Sequence, residues 1–320
     1  MRPSFLAQDT LAALATPPGE GAIGIVRLSG PRALPIASSC LTLSCGGSLL
    51  SAAPRKALLS AFHHEGRHID QVLATVYKGP RSFTGEDMVE ISCHGGTAVL
   101  RQAMGALVRA GARPAERGEF SQRAFLNGKM DLLQAEAVAD LISARTAESG
   151  RAALSNLTGK FSGEVRAVRD ALLEAAASLE VALDHSDDPT VGTALTLREI
   201  GERLEAQAGK IGRLLVSYES GRLLKEGVKI AIAGRPNAGK SSLLNSLLSS
   251  DRAIVSPHPG TTRDTLEEGF DLLGIPAVLI DTAGLRAHTL DPVEEIGMER
   301  TRRAIRESDM AVVVMDCQRS

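Results

Sequence analysis

Residues 228–245, VKIAIAGRPNAGKSSLLN, decide how the second half of this 320-residue chain is interpreted. The run 228–233 is short and almost continuously apolar, which is typical of a parallel strand buried on both faces. The next eight residues, 234–241, fit the pattern GxxxxGK[ST]. Glycines let a backbone wrap closely around a phosphate, and the helix that follows directs its N-terminus at the same anion. The stretch therefore predicts a phosphate-binding loop between a strand and a helix.

Two motifs further along the chain indicate a GTP-hydrolysing site. Thr261-Thr262-Arg263-Asp264 begins 20 residues after Ser241 in a loop rich in Pro and Gly, and Asp281-Thr282-Ala283-Gly284 follows an apolar run. We expect Lys240 to reach the terminal phosphates, Ser241 and Thr262 to bind Mg²⁺, and Asp281 to hold the water around that ion. The predicted GTP-binding residues are Asn237, Ala238, Gly239, Lys240, Ser241, Ser242, Ser256, Pro257, His258, Pro259, Gly260, Thr261, Thr262, Asp281, Thr282, Ala283 and Gly284.

The residue after Gly284 is Leu285, where Ras-like GTPases have a glutamine that orients the attacking water. A leucine side chain cannot orient water, and no arginine finger is evident in the sequence. Water positioning and charge neutralisation must therefore come from elsewhere, and Glu294 and a bound cation are the candidates.

The remainder of the chain predicts two further domains. Residues 1–118 alternate short apolar runs with turns, with strand-like runs at 24–28 and 89–92 and a helix at 97–110, which predicts an α+β domain. Residues 119–219 carry apolar residues at three- and four-residue spacing, broken near 156–163, which is typical of amphipathic helices that pack on one another. The last of these helices places one set of apolar residues on a single face: Leu197, Ile200, Leu204, Ile211 and Leu215.

Residues 220–320 predict an α/β P-loop GTPase domain. Three short apolar runs at 228–233, 277–280 and 311–315 fit buried parallel strands, and helical segments near 241–249 and 294–308 separate them.

Composition excludes several classes of protein. With 36 Lys and Arg against 38 Asp and Glu, the net charge of −2 provides no overall field for RNA or a membrane surface. A content of 43% hydrophobic and 23% charged residues excludes wholesale disorder. No apolar run is long enough for a membrane span or a signal peptide, so we expect a cytoplasmic protein. The four cysteines form no CxxC pair, which favours reduced thiols over a metal or disulfide framework.

The histidines are less informative. We expect His63, His64 and His68, which lie near a predicted turn, to be exposed to solvent. His94 follows a predicted strand in the sequence Cys-His-Gly-Gly, where both a packing role and a catalytic role remain open.

At these motifs the chain resembles the MnmE (TrmE) family of GTPases that modify the wobble uridine of tRNA. The likeness covers nearly the whole chain, and FSQRAFLNGKMDLLQAEA is specific to that family. The segments that carry the likeness are ATPPGEGAIGIVRLSG, SFTGEDMVEISCHGG, RGEFSQRAFLNGKMDLLQAEAVADLI, LLKEGVKIAIAGRPNAGKSSLLN, AIVSPHPGTTRD and DTAGLR.

The resemblance implies a dimerising N-terminal domain that holds 5-formyltetrahydrofolate or a related one-carbon folate, with Arg27, Glu90 and Lys129 at the matching positions. It also implies a K⁺ ion in place of an arginine finger, held at Asn237, Ser256, His258 and Thr261. Glu294 matches the family's water-orienting glutamate, although a one-residue shift would place Glu295 there; Lys240 is the other predicted catalytic residue. The implied partner is an FAD- and NADH-using protein of the MnmG (GidA) type, which forms a heterotetramer with the homodimer and with it adds a carboxymethylaminomethyl group to C5 of the uridine.

The chain departs from the family by ending at Ser320, before the guanine-reading Asn-Lys-x-Asp motif. We therefore expect weak nucleotide affinity, poor guanine specificity, and an exposed apolar edge at the 311–315 strand. One alternative is a folate-binding dimerisation module with an inactive G domain. A further alternative, an ATPase, is disfavoured by the PGTTRD sequence.

Overall fold

The computed structural model describes residues 9–184, 197–234, 238–248, 253–254, 268–280 and 302–316. The chain divides into two compact units, 1–135 and 136–320. The sequence-based domain boundaries after residues 118 and 219 stay predictions.

The first unit contains a seven-stranded sheet with the strand order β3-β4-β5-β6-β2-β1-β7. Its neighbouring strands are antiparallel except for the parallel pair of β1 and β7. The strands are β1 (Leu11–Leu14), β2 (Ile23–Ser29), β3 (Leu41–Leu43), β4 (Ala57–His64), β5 (Arg67–Tyr77), β6 (Met88–His94) and β7 (Arg113–Pro114). The helices are α1 (Ala33–Cys40), α2 (Thr97–Arg109) and α3 (Glu119–Leu126), with a 3₁₀ turn at Leu49–Ser51.

Along β2 and β6, buried and more exposed side chains alternate, so one face of this sheet is buried and the other is partly exposed. Val26 and Ile91 are fully buried in a core that also contains residues of α1 and α2, whereas Arg27 and Glu90 are partly exposed. Because successive side chains of a strand point to opposite faces, Arg27 and Glu90 lie on the face away from that core. The predicted strands at 24–28 and 89–92 and the predicted helix at 97–110 are confirmed.

The helical region predicted from residue 119 is also confirmed. The predicted break near 156–163 is narrow, since α5 ends at Leu157 and α6 begins at Lys160. The N-terminus of α5 is fixed by a capping box, in which Thr146 and Ser149 each bond the backbone of the other. The helices are α4 (Leu132–Ser143), α5 (Ala147–Leu157), α6 (Lys160–Asp184) and α7 (Leu197–Glu226).

The apolar stripe predicted along α7 is only partly buried. Ile200 is 5% exposed, but Leu204 and Ile211 are each more than 40% exposed and Leu215 is 68% exposed. The buried residues of α7 are Ile200 and Gln207, which are seven residues apart and so lie on one line along the helix. The expectation that the whole stripe packs against other helices is therefore wrong, because the buried seam is narrow and Leu215 lies well to one side of it.

The second unit also contains a five-stranded sheet with the order β12-β8-β11-β10-β9. Strand β8 runs parallel to β11 and β12, which confirms the three predicted parallel strands, and β12 lies at the edge of the described sheet as expected. Strand β10 is antiparallel to β11 and β9, an arrangement the sequence analysis did not anticipate. The strands are β8 (Val228–Gly234), β9 (Ala253–Ile254), β10 (Glu268–Leu272), β11 (Ile275–Ile280) and β12 (Met310–Val314), and α8 (Lys240–Leu248) follows β8.

The junction of α7 and β8 is a single residue, Gly227. Its φ is +83°, and a Cβ atom there would lie 2.7 Å from the carbonyl oxygen of Pro276, so only glycine fits. Close to this junction, Lys225 Nζ lies 2.6 Å from Glu136 and 3.2 Å from Asp140 of α4. Within the described ranges, no helix combines the length and apolar character needed to cross a membrane.

Candidate functional site

The predicted phosphate-binding loop lies between β8 and α8, as the sequence pattern requires. Strand β8 ends at Gly234, and α8 begins at Lys240. A Cβ atom at Gly234 would lie 2.4 Å from the carbonyl oxygen of Val314 on β12. Gly239 has a φ of +94°, which L side chains rarely adopt. Both glycines of the motif are therefore required by the backbone around them.

Lys240 lies across this loop. Its Nζ donates a hydrogen bond to the carbonyl oxygen of Gly234 at 2.9 Å, which links the first residue of the helix to the last residue of the strand. Ser241 and Ser242 occupy the first turn of α8, and the fully buried Leu244 anchors the helix in the core of this sheet. An ammonium group and a helix N-terminus are both groups that attract an anion such as a phosphate.

Most of the other predicted nucleotide and cation residues lie outside the described ranges. The K⁺ ligands, the water-orienting glutamate and the remaining Mg²⁺ contacts therefore stay predictions. These residues are Asn237, Ser256, Pro257, His258, Pro259, Gly260, Thr261, Thr262, Asp281, Thr282, Ala283, Gly284 and Glu294.

Two of the three predicted folate residues are in direct contact. Arg27 Nε donates to Glu90 Oε1 at 2.8 Å, and the hydroxyl of Tyr77 donates to Glu90 Oε2 at 3.1 Å. The three side chains come from the adjacent strands β2, β6 and β5. Burial and the negative charge of Glu90 raise the pKa of Tyr77, so its hydroxyl stays protonated and donates.

Lys129 occupies a different position, in the loop after α3. Its Cγ and Cδ atoms lie 3.2 and 3.3 Å from where a Cβ of Gly85 would be, so its stem packs on that glycine and the side chain remains exposed. Asn127 donates a hydrogen bond to the carbonyl oxygen of Thr84 at 2.7 Å, which also joins the loop after α3 to the segment between β5 and β6. The structure thus joins Arg27 to Glu90, whereas it holds Lys129 against Gly85.

An Asp–His pair was missed by the sequence analysis. Asp70 Oδ1 lies 2.6 Å from Nδ1 of His94, and Asp70 also accepts the backbone N–H groups of His94 and Gln71 at 2.8 Å each. Burial alone would raise the pKa of Asp70, but these hydrogen bonds outweigh it and hold that pKa below its ordinary value. His94 was noticed for its place after a strand, but nothing in the sequence marked Asp70, which lies 24 residues earlier.

The three histidines that we expected to be exposed, His63, His64 and His68, lie in two different environments. His68 is exposed, but His63 and His64 are half-buried and line a cavity of about 360 Å³ at the C-terminal end of α2. Arg109 Nε donates to His64 Nε2 at 2.6 Å. The expectation of exposure is wrong for His63 and His64 because the β4–β5 hairpin lies against this end of α2. No group of three His, Cys, Asp or Glu side chains in the described part of the chain could hold a metal ion.

The structure combines a seven-stranded mixed sheet, a set of long helices, and a strand and a helix that flank the GxxxxGKS motif, which is the arrangement that the predicted phosphate-binding loop requires. The family model "GTP-binding protein TrmE N-terminus" matches residues 10–129, and "MnmE helical domain" matches residues 132–316. The chain belongs to the MnmE (TrmE) family.

Proteins called "tRNA modification GTPase MnmE" are similar to nearly the whole chain. The one from Thermotoga petrophila is 44% identical over 308 residues, which are 96% of this chain and 66% of that protein. The one from Synechococcus sp. is 46% identical over an alignment of 322 positions, which covers 99% of this chain and 69% of that protein. The chain thus spans about two thirds of the length of these curated relatives. A solved G domain of the T. maritima FeoB iron transporter is 30% identical and covers 27% of this chain and 54% of that chain, but its TM-score of 0.17 supports no statement about the fold.

Proposed function

We propose that this chain hydrolyses GTP in the modification of tRNA. The observation that carries the proposal is the junction of β8 and α8, where Gly239 at a φ of +94° and the Lys240 amine beside a helix N-terminus suit the binding of an anion. The relatives' shared name, tRNA modification GTPase, supports GTP as the nucleotide and tRNA as the substrate.

The described residues fit a Mg²⁺–nucleotide complex. The Ser241 hydroxyl stands in the first turn of α8, next to Lys240, and hydroxyl oxygen is among the hard ligands that Mg²⁺ accepts. Thr262 would be the second direct ligand, and the Asp281 carboxylate would hold the water around the ion. When bound, the ion would neutralise negative charge on the phosphates. Lys240 would bind the terminal phosphates through a charge-assisted hydrogen bond in place of its bond to Gly234.

Because Leu285 cannot orient a water molecule and no arginine finger is evident, other groups must orient the attacking water and neutralise the developing charge. We assign water orientation to Glu294 and charge neutralisation to a K⁺ ion held by Asn237, Ser256, His258 and Thr261. The proposal rests on the family resemblance and on the oxygen and amide groups these residues offer.

In the first unit we propose a site for a one-carbon folate such as 5-formyltetrahydrofolate. Only the Nε group of Arg27 is engaged by Glu90, so the terminal N–H groups of the guanidinium remain to bind a carboxylate. The exposed Lys129 amine suits a second carboxylate, and Glu90 can accept from the N–H groups of a pterin. Arg27 and Glu90 on the polar face of this sheet, and Lys129 in the loop after α3, therefore offer donors and acceptors of the kinds such a ligand needs.

The wider setting is proposed from the resemblance. The chain would act in the cytoplasm as a homodimer, joined by an FAD- and NADH-using partner of the MnmG type into a heterotetramer. The pair would add a carboxymethylaminomethyl group to C5 of the wobble uridine.

The test is phosphate release from GTP by the purified chain in KCl and in NaCl at equal ionic strength. We expect turnover that requires K⁺, and Lys240→Ala and Asn237→Ala each reduce it by roughly a hundredfold with an unchanged circular dichroism spectrum. A chain that folds but releases no phosphate in either salt contradicts GTP hydrolysis. That outcome, together with folate binding, supports the alternative of a folate-binding dimerisation module with an inactive G domain, which the Arg27–Glu90 contact favours.

A further inference from the structure

The Asp70–His94 pair stands outside the residues on which the proposed function depends. Asp70, on β5, is 9% exposed and accepts three hydrogen bonds, one of them from the imidazole of His94. His94 is the last residue of β6, and 72% of its side chain is exposed. A nearly buried carboxylate therefore holds one nitrogen of a ring whose other side faces solvent.

This arrangement determines which nitrogen of His94 carries the proton. An ionised carboxylate can only accept hydrogen bonds, so the contact at 2.6 Å requires the proton on Nδ1. In the neutral ring, Nε2 then carries the lone pair and acts as an acceptor. The neighbouring Cys93 thiol does not compete as an acceptor or nucleophile, because burial and the charge of Asp70 raise its pKa to about 12.

A purely structural role does not require an imidazole at position 94. Asp70 already has the backbone N–H groups of Gln71 and His94 as partners, and a ring that is largely exposed buries little area. The backbone after the ring is nevertheless fixed, because a Cβ at Gly95 would lie 2.3 Å from the carbonyl oxygen of Gly21. The fold thus presents Nε2 from a rigid position, with its tautomer set.

We propose that His94 is a further ligand-binding residue of the folate site, with Nε2 accepting a hydrogen bond from an N–H group of a reduced one-carbon folate. This inference rests on the proposed folate site. His94 pairs with Ile23, and Glu90 pairs with Arg27, in the same β2–β6 ladder. His94 therefore lies four residues from Glu90, or ~13 Å along β6. An elongated ligand bound at Arg27 and Glu90 can extend along the strand to His94.

The acceptor role requires the neutral form of the ring, because an imidazolium has two N–H donors and no acceptor. The titratable groups around the ring are Asp70 from β5 and Cys93 from β6, and Glu20 precedes Gly21 on the segment that packs against Gly95.

The test uses two variants that separate the two ring nitrogens. His94→Asn keeps an amide N–H near the Nδ1 position and has no atom at Nε2, whereas His94→Gln places an amide oxygen near Nε2. The matched control is His68→Asn, at an exposed histidine of β5 that has no carboxylate partner in the described structure. Binding of 5-formyltetrahydrofolate to the whole chain is measured by calorimetry, with circular dichroism as the check on folding.

We expect His94→Asn to weaken binding about tenfold, the loss of roughly one hydrogen bond. We expect His94→Gln and His68→Asn to stay within about threefold of the unsubstituted chain. Unchanged binding in His94→Asn overturns the role of His94 and leaves the folate site intact. An unsubstituted chain that binds no folate overturns the folate site, and with it this inference.

A spectroscopic readout keeps the proposal testable if His94→Asn fails to fold. In the ¹⁵N spectrum of the unsubstituted chain, the signal of Nε2 of His94 should move when the folate is added. Asp70→Asn, whose amide can donate to Nδ1, should move the proton to Nε2. An Nε2 shift that is unaffected by bound folate overturns the proposal.

Discussion

Gly239 shows how a single backbone conformation can control the proposed phosphate site. Its φ of +94° costs an alanine roughly 1–2 kcal/mol, although no atom of the described residues lies within 4 Å of the added methyl group. We expect Gly239→Ala to lower the rate of phosphate release by at least roughly tenfold, because an alanine at position 239 relaxes away from the positive φ, and a phosphate-binding loop needs its backbone N–H groups directed at the anion. The control is Gly66→Ala, at a φ of +74° in the β4–β5 turn of the first unit, where the described residues likewise leave the added methyl group in open space and the strain is of the same kind. Equal activity of the two variants would contradict the argument.

At the scale of elements, two arginines join the beginning of β1 to β7 and α3. Arg123, 11% exposed, pairs with Asp9, Glu86 and Glu119, and Arg113 pairs with Asp9 and Glu119. Burial raises the pKa values of Asp9 and Glu119, but the hydrogen bonds from the arginines outweigh it and leave both values below the ordinary range.

These two carboxyl groups make the first unit sensitive to acid. A group whose pKa is lowered by folding stabilises the fold above its unfolded pKa, and the contribution disappears as the pH falls through the folded value. We expect the free energy of unfolding to fall below about pH 4. We also expect Arg123→Met to remove about 3 kcal/mol at pH 7 and to flatten the acid dependence. Urea titrations from pH 2 to pH 7 measure both effects, and an equally steep acid dependence in the variant would show that other carboxyl groups cause it.

The start of α5 allows a smaller and local prediction. Thr146 accepts the N–H of Ser149 and is 8% exposed. Thr146→Ala should cost about 1 kcal/mol through the loss of the cap, whereas Thr158→Ala, at an exposed position after the same helix, should change the stability by less than about 0.5 kcal/mol. Thermal unfolding of both variants provides the comparison, and similar losses would show that the capping box contributes nothing particular.

The elements that the sequence predicted are those with strong periodicity. Strands β2, β6, β8, β11 and β12 and the long helices follow their apolar patterns, because short apolar runs specify the strands and a three-to-four spacing specifies the helices. The hairpin of β10 and β11 was not predicted, because its turn is Leu273-Gly274, with Leu273 at a φ of +53°, instead of the usual Asn-Gly or Asp-Gly. Asp70 could not be predicted as the partner of His94 either, because the contact depends on the register of two strands.

At the scale of the whole molecule, the two units differ in how they are stabilised. The core of the first unit includes the fully buried side chains of Phe62, Ile91 and Leu107. In the helices of the second unit the buried side chains are mostly small, such as Ala153, Ala175 and Ser162, while large apolar side chains remain exposed. Because apolar burial is the main stabilising contribution, the helices should be the less stable part.

We therefore expect two unfolding transitions in calorimetry, with the second unit unfolding at the lower temperature. A non-hydrolysable GTP analogue with Mg²⁺ should raise only that transition, by mass action on the state that binds it. A folate should raise only the other. A single transition that responds equally to both ligands would contradict independent unfolding of the units.

Gly227 is the single residue between helix α7 and strand β8, so it can act as a hinge between them. Helix α7 has 30 residues and is therefore about 45 Å long, and one glycine separates it from the strand that ends in the phosphate loop. A rotation of 10° about this pivot would sweep the far end of the helix through about 8 Å, more than a full turn of helix pitch. Lys225 is only two residues from Gly227, so its ion pairs with Glu136 and Asp140 oppose such a rotation over a very short distance from the hinge. Geometry alone thus amplifies a small motion at the base of β8 into a large displacement at the distant end of α7.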